Sequence, residues 1–581
     1  MKESMRFEAP STPPVGHFRP CSSNRESRYG VETTKSRRSM WITLISFLAV
    51  LAMPFGVVAQ VNPKQNSMAE HHHYKLIDVG NFGGPGSGIE NPSSPSLNQN
   101  GMLVGVSDTA APDPFAPNYC FLDCYVDLGF FLHNGVVTPL GPLPSGAGLS
   151  SFAVAINERG QIVGQAQNGA IDESTGWPET HAVLWQGSPI PIDLTLGVTQ
   201  SIANAINDQG QVVGAALTAT PDPFANSPLF GSVLQPGCES PNAYPITPPT
   251  FAVCSIFFPG TTETHAFVWQ NGFMRDLHTL GGPDSNAFIN NDNGEVAGWS
   301  FTSFVANAST GVPTMDPFYW SPEDGKMTDL GGLGGTLGAV VGINNRGQIA
   351  GVSNTAGDVT THPFIWDKSQ GMQDLFRHGG LGGTFGHPDW INDAGEVVGY
   401  ATLPGDQVGH AFLWRDGVMA DLGTLGTDPQ SESVSINSQG QVAGGTFTND
   451  GHDLRGFLWE NGGPMVDVNT LIVPGSSTYV TVALIINDRG EIGCLGLDPG
   501  DTDDHACLLI PCDENHPGIE GCDYSLVNSP AASQVHTADT ARATAVAASQ
   551  PKLSPTELLA RFRSLRTGRN RRFGASQTSP Q

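Results

Sequence analysis

Long apolar runs are nearly absent from these 581 residues. Only Trp41 to Ala52 qualifies, and it is short for a membrane span and is followed by Pro54 and Gly56. No spanning segment is expected. Charge is sparse as well, at 14% of residues, and basic charge is sparsest where the chain is longest. Of 27 Lys+Arg, eight fall in residues 1–60 and eight in 525–581, so the stretch between keeps 11 basic residues against 49 acidic ones. So acidic a body argues against nucleic acid as a partner, because phosphate binding needs a basic face. Paired C-x-x-C motifs are missing, which argues against zinc. A nucleophile elbow, P-loop, zincin helix and dinucleotide fingerprint are missing too, so no catalytic residue is assigned and no cofactor is expected.

Glycine and proline are plentiful, 71 and 44 residues, which suits turn-rich β structure. One phrase organises the chain, and His410 to Gly444 states it most plainly. His410, Phe412 and Trp414 alternate with Ala411 and Leu413 as a strand does. Arg415-Asp416-Gly417 turns the chain into Val418–Leu422, and the glycines after it stop that strand. Val434–Asn437, a turn at Ser438-Gln439-Gly440 and Gln441–Ala443 form a hairpin in which glycine takes the left-handed bulge position. The Asn-x-x-Gly step recurs at Asn98, Asn157, Asn207, Asn291, Asn344, Asn392, Asn437 and Asn487. The HAF strand recurs from His181, His265, His362, His410 and His505, with looser copies at Phe130, Phe318 and Phe457.

Four short antiparallel strands repeated at about 45–60 residues mark a propeller or solenoid. The first unit starts one strand late, at Tyr74, and the missing strand appears at the far end, His505–Leu509. A closed ring needs that arrangement. The expected fold is therefore an all-β propeller of about eight four-stranded blades, closed by the C-terminal strand. An open β-solenoid, or two smaller β-domains, is the alternative. The recurring His-Ala-Phe-x-Trp, Asp-Leu-Gly-x-Leu-Gly-Gly and Ile-Asn-x-x-Gly-x-Val-x-Gly resemble the HAF repeat of bacterial extracellular repeat proteins across about residues 74–509. The resemblance implies an exported protein and carries over no catalytic residues. Several units lack the histidine, which weakens it as a universal ligand.

The domain reading follows. Residues 1–59 read as a leader and signal peptide, with Lys35, Arg37 and Arg38 before the apolar run and Val57-Val58-Ala59 as a cleavage site. Residues 60–73 read as a linker, 74–511 as the propeller, 512–524 as a Cys-bounded loop and 525–581 as a disordered tail with a short basic helix from Ser554. The expected location is secreted, extracellular or periplasmic, as a monomer. Export agrees with eight cysteines after the leader, paired most simply as Cys120–Cys124, Cys238–Cys254, Cys494–Cys507 and Cys512–Cys522.

Candidate binding residues come from the long connections between the Val-x-Gly and HAF strands, which in a ring must leave on one face. Two of them share Pro-Asp-Pro-Phe-Ala, and they supply Phe115, Tyr119, Phe224, Phe230, Tyr244 and Phe251 for stacking on sugars or peptides. The repeated histidines share a strand face with Phe and Trp, so a blade-stabilising hydrogen bond is expected of them rather than a metal ring. Asp276, Asp329, Asp374, Asp421 and Asp467 are expected to accept turn N–H groups. His71–His73 reads as an unstructured tail before it reads as a metal tract. Asp498–Asp504 reads as an acidic loop first and a calcium site second. The function expected is a secreted binding module for a carbohydrate, peptide or surface partner, with a propeller-scaffold hydrolase or lyase as the alternative.

Overall fold

The computed structural model describes residues 70–528, apart from 90–93, 115–124, 145–148, 174–177, 195–198, 225–261, 309, 449–453, 461 and 500–503. The leader and signal region lies outside the described residues. These residues form strands, joined by turns and one 3-10 turn at Val468–Thr470, with no α-helix among them.

The strands fall into eight four-stranded antiparallel blades, and chain order equals strand order from blade one to blade seven. The phrase from His410 to Gly444 straddles two of them. Gly409–Arg415 and Val418–Asp421 are the third and fourth strands of blade six, whereas Gln430–Ile436 and Val442–Phe447 open blade seven. Blade eight is Tyr479–Ile486, Ile492–Leu497 and His505–Pro511, completed by Tyr74–Asp78 from the other end of the array. The closing strands pair in register from Tyr74 opposite Pro511 to Asp78 opposite Cys507.

The asparagine of each Asn-x-x-Gly turn joins its blade to the next. Its Oδ1 accepts N–H groups inside its own turn, as Asn344 does from Arg346 and Gln348. Its Nδ2 donates to the backbone carbonyl of the equivalent asparagine one blade on, at 2.8–3.0 Å, through Asn98, Asn157, Asn207, Asn291, Asn344, Asn392, Asn437 and Asn487. Asn487 donates to Asn98, so the circuit returns to its start. Each bond is worth about 1 kcal/mol net, and a buried carbonyl left unsatisfied would cost more.

Val-x-Gly marks the closest approach inside a blade. The first strand bulges at this level, between Ala153 and Ala155 in blade two and between Val340 and Gly342 in blade five. A Cβ on Gly164 would lie 1.9 Å from the Phe152 carbonyl oxygen, and one on Gly351 would lie 2.3 Å from that of Ala339 and 2.6 Å from the Phe364 ring. The HAF phenylalanine packs over this glycine and is fully buried in Phe267, Phe364 and Phe412. Burying each such ring is worth about 2–3 kcal/mol.

Two boundaries move. Glu70–His72 is a strand rather than linker, and it pairs with Leu526–Asn528, within the stretch expected to be disordered. His71 is buried, with Nδ1 2.6 Å from Glu460 Oε1, so the histidine tract is not an unstructured tail. A partner 389 residues away supplies the order, which no local composition could announce. The disulfides Cys494–Cys507 and Cys512–Cys522 are formed as expected. Cys120, Cys124, Cys238 and Cys254 lie outside the described residues, as does the basic helix of the tail.

Candidate functional site

In an antiparallel blade the first-to-second and third-to-fourth turns lie at one end, and the second-to-third loops lie at the other. The asparagine circuit therefore occupies one face, and the second-to-third loops leave on the opposite face. On that face the HAF strand begins and the fourth strand ends, which brings each repeated histidine to a carboxylate. His181 meets Asp193, His265 meets Asp276, His362 meets Asp374 and His410 meets Asp421, with Nδ1 to carboxylate distances of 2.8–2.9 Å. In blade eight His505 stands 3.6 Å from Asp78. The aspartates also accept the N–H two residues on, from His278, Gly331, Phe376, Gly423 and Asn469 for Asp276, Asp329, Asp374, Asp421 and Asp467. Both expected structural roles are met, and for Asp276, Asp374 and Asp421 the histidine is a second partner that sequence reading did not assign. Burial opposes ionisation of Asp276 and Asp421, but the histidine bond and the turn N–H prevail and hold both carboxyls below the usual range.

Blade four departs from this pattern, as do blades one and seven, whose third strands carry no histidine at this position. In blade four Asp316 replaces the histidine, and its pKa is pushed up to about 6 by burial and by Asp329. Between blades three and four, Asp222, Glu263 and Asp284 gather. Asp284 accepts from the Thr264 N–H at 2.8 Å, yet burial, with the charges of Asp222 and Glu263, pushes its pKa up to about 8. Glu263 and Asp222 are themselves raised, chiefly by burial. With Asp284 raised to about 8 beside two further raised acids, the cluster is an arrangement that suits either hydroxyl recognition or acid–base work. Sequence reading missed it because Asp222, Glu263 and Asp284 are separated by a long insertion and by a blade boundary.

Exposed apolar side chains lie on the same face. Phe304 and Val305, on the second-to-third loop of blade four, and Val359, on that of blade five, are exposed at 54%, 74% and 73%. Of the aromatic candidates read from the insertions, Phe224 is half-buried and its N–H is held by Asp222 at 2.8 Å, which places it at the edge of the acid cluster. Phe115, Tyr119, Phe230, Tyr244 and Phe251 lie outside the described residues. Of the acidic loop, Asp498 accepts from Thr478 Oγ1 at 2.8 Å, and residues 500–503 lie outside the described residues.

No protein-family model matches the chain, and no curated protein matches it. Among solved structures, the chain is similar to the β-propeller domain of the trilobed protease from Pyrococcus furiosus, with 9% identity over 68% of this chain and 95% of that one, and a TM-score of 0.35. It is also similar to the acylaminoacyl peptidase of Pyrococcus horikoshii, with 11% identity over 71% and 57% of the two chains and a TM-score of 0.35. Puromycin hydrolase gives 12% identity over 75% and 64%, and a TM-score of 0.37. The chain spans little more than half the length of the acylaminoacyl peptidase. At these scores the propeller assignment rests on the strand pairing itself.

Proposed function

We propose that this is an exported HAF-repeat protein that works as a binding module, recognising a carbohydrate, peptide or surface partner on the loop face of its propeller at blades three to five. The observation that carries the reading is the occurrence, on one face of consecutive blades, of exposed apolar loop tips together with buried and half-buried acids. Solvent-facing Phe304, Val305 and Val359 offer apolar contact, and Asp222, Glu263, Asp284 and Asp316 offer hydrogen bonds of both polarities, as a sugar or peptide backbone requires. Two disulfides fit an oxidising compartment.

The alternative, a secreted hydrolase or lyase, draws on Asp284, since a buried carboxyl raised to about 8 among further acids is what a general acid needs. One experiment separates the two. The protein is screened against glycan and peptide arrays, and every binder is then assayed for turnover. The binding reading predicts that joint replacement of Phe304, Val305 and Val359 by Ser abolishes capture, that replacing Phe273 and Val418 on the opposite face leaves it intact, and that no binder is consumed. Turnover abolished by Asp284→Asn would establish the hydrolase instead.

A further inference from the structure

Blade three breaks the repeat at one position that carries its own chemistry. Two residues after the fourth-strand aspartate, blades four, six and eight place a glycine in the left-handed region, Gly331, Gly423 and Gly80, with φ of 68°, 76° and 68°. Blade three has His278 there instead, at φ 62°. A side chain in this conformation is costly, although histidine tolerates it better than most residues. The result is a second imidazole at a His–Asp pair. His265 Nδ1 lies 2.9 Å and His278 Nδ1 lies 3.2 Å from the same atom, Asp276 Oδ2. The two rings stand edge to face, 6.1 Å apart, and one ligand atom from each of His265, Asp276 and His278 lies within 4.8 Å of the others.

We propose that His265, Asp276 and His278 form a divalent transition-metal site on the loop face of blade three. Two imidazole nitrogens and one carboxylate oxygen select a borderline ion such as Zn²⁺, Cu²⁺ or Ni²⁺ over Ca²⁺ or Mg²⁺, which prefer all-oxygen shells. Ligands about 2.0–2.2 Å from a tetrahedral ion stand about 3.3–3.6 Å from one another, so these atoms, now within 4.8 Å of one another, need only a modest adjustment. Glu263 Oε2, 3.9 Å from His265 Nε2, is placed to accept from the ring nitrogen turned away from the site. His278 is 76% exposed at its side chain, so the remaining coordination positions open to solvent, where water or a partner's donor completes the shell. The two other His–carboxylate groups of this size, His387–Asp389–Glu432 and Asp78–Asp498–His505, have one imidazole each and fit such ions less well. The inference rests on blade three alone and does not depend on the proposed binding role.

The test uses His278→Gly, which restores the repeat's own residue and removes backbone strain, so the variant folds at least as well as the parent. The full chain and the variant are titrated with Zn²⁺ by calorimetry and with Cu²⁺ under electron paramagnetic resonance. The parent should bind one more equivalent of Zn²⁺ than His278→Gly, or bind at this site at least roughly tenfold more tightly, and its Cu²⁺ spectrum should show nitrogen couplings from two imidazoles that the variant lacks. His410→Gln, at a pair with no second imidazole, should leave both readouts unchanged. Equal stoichiometry, affinity and couplings in parent and His278→Gly would overturn the site. So would an equal loss in His410→Gln, because any His–Asp pair would then suffice.

Discussion

A single repeated residue can do two jobs once the chain closes on itself. Each turn asparagine orders its own hairpin through Oδ1 and the neighbouring blade through Nδ2, as Asn157 does, and a HAF histidine such as His362 holds an aspartate, Asp374, that already holds its own turn. The first job was legible, because Asn-x-x-Gly and Asp-Leu-Gly carry local turn chemistry. The second was not, because its partner is a carbonyl about one blade further along. Asp284 shows the same limit, since its environment is assembled from three separate stretches of chain. Its titration has a definite sign. With its carboxyl near 8 when folded and near 3.8 by its ordinary value, the folded chain holds a proton between those pH values that the unfolded chain releases. Stability therefore falls as pH rises through that window, by an amount on the order of a few kcal/mol. Asp316, raised only to about 6, contributes mainly below that pH, but His516 is also raised above its ordinary value, so comparison with a variant is what isolates Asp284. Asp284→Asn should lose less thermal stability than the parent between pH 6 and 8; identical slopes in differential scanning fluorimetry would refute this.

At the scale of the blade, alternation and turn glycines located the strands of the repeated phrase, but the grouping was offset by half a blade. The sequence repeats as HAF strand first, whereas the blade begins with the Ile-Asn strand, and a periodic pattern carries no mark of where one sheet stops. The Val-x-Gly glycine belongs to this scale, because it matters only when first and third strands close on the second. Gly351→Ala would press a methyl group between the Ala339 carbonyl and the Phe364 ring. It should destabilise the protein by about 1–3 kcal/mol, toward the upper end because a backbone atom cannot swing aside. An unchanged melting temperature would show that the blade has slack there. The clasp of Glu70–His72 on Leu526–Asn528 was illegible for the opposite reason: three-residue strands have no period to read.

For the propeller unit as a whole, closure decides what the loop face is. If Tyr74–Asp78 completes blade eight, the asparagine circuit fixes all blades in one orientation and every second-to-third loop leaves on one side. This was legible from the strand missing at one end and surplus at the other, which is a property of the count and needs no geometry. The identity of the ligand was not legible, because most of the aromatic candidates sit in insertions that follow no repeat. Closure itself can be tested by covalent capture. Lys75 stands opposite Ile510 in the register of the closing pair. Cysteines substituted at both positions, oxidised and mapped by mass spectrometry of unreduced peptides, should give a disulfide joining Lys75→Cys to Ile510→Cys in most molecules, against little cross-linking when Lys75→Cys is combined with Lys368→Cys. Free, fully alkylatable thiols at positions 75 and 510 in the folded protein would contradict the closed ring, and with it the one-sided loop face.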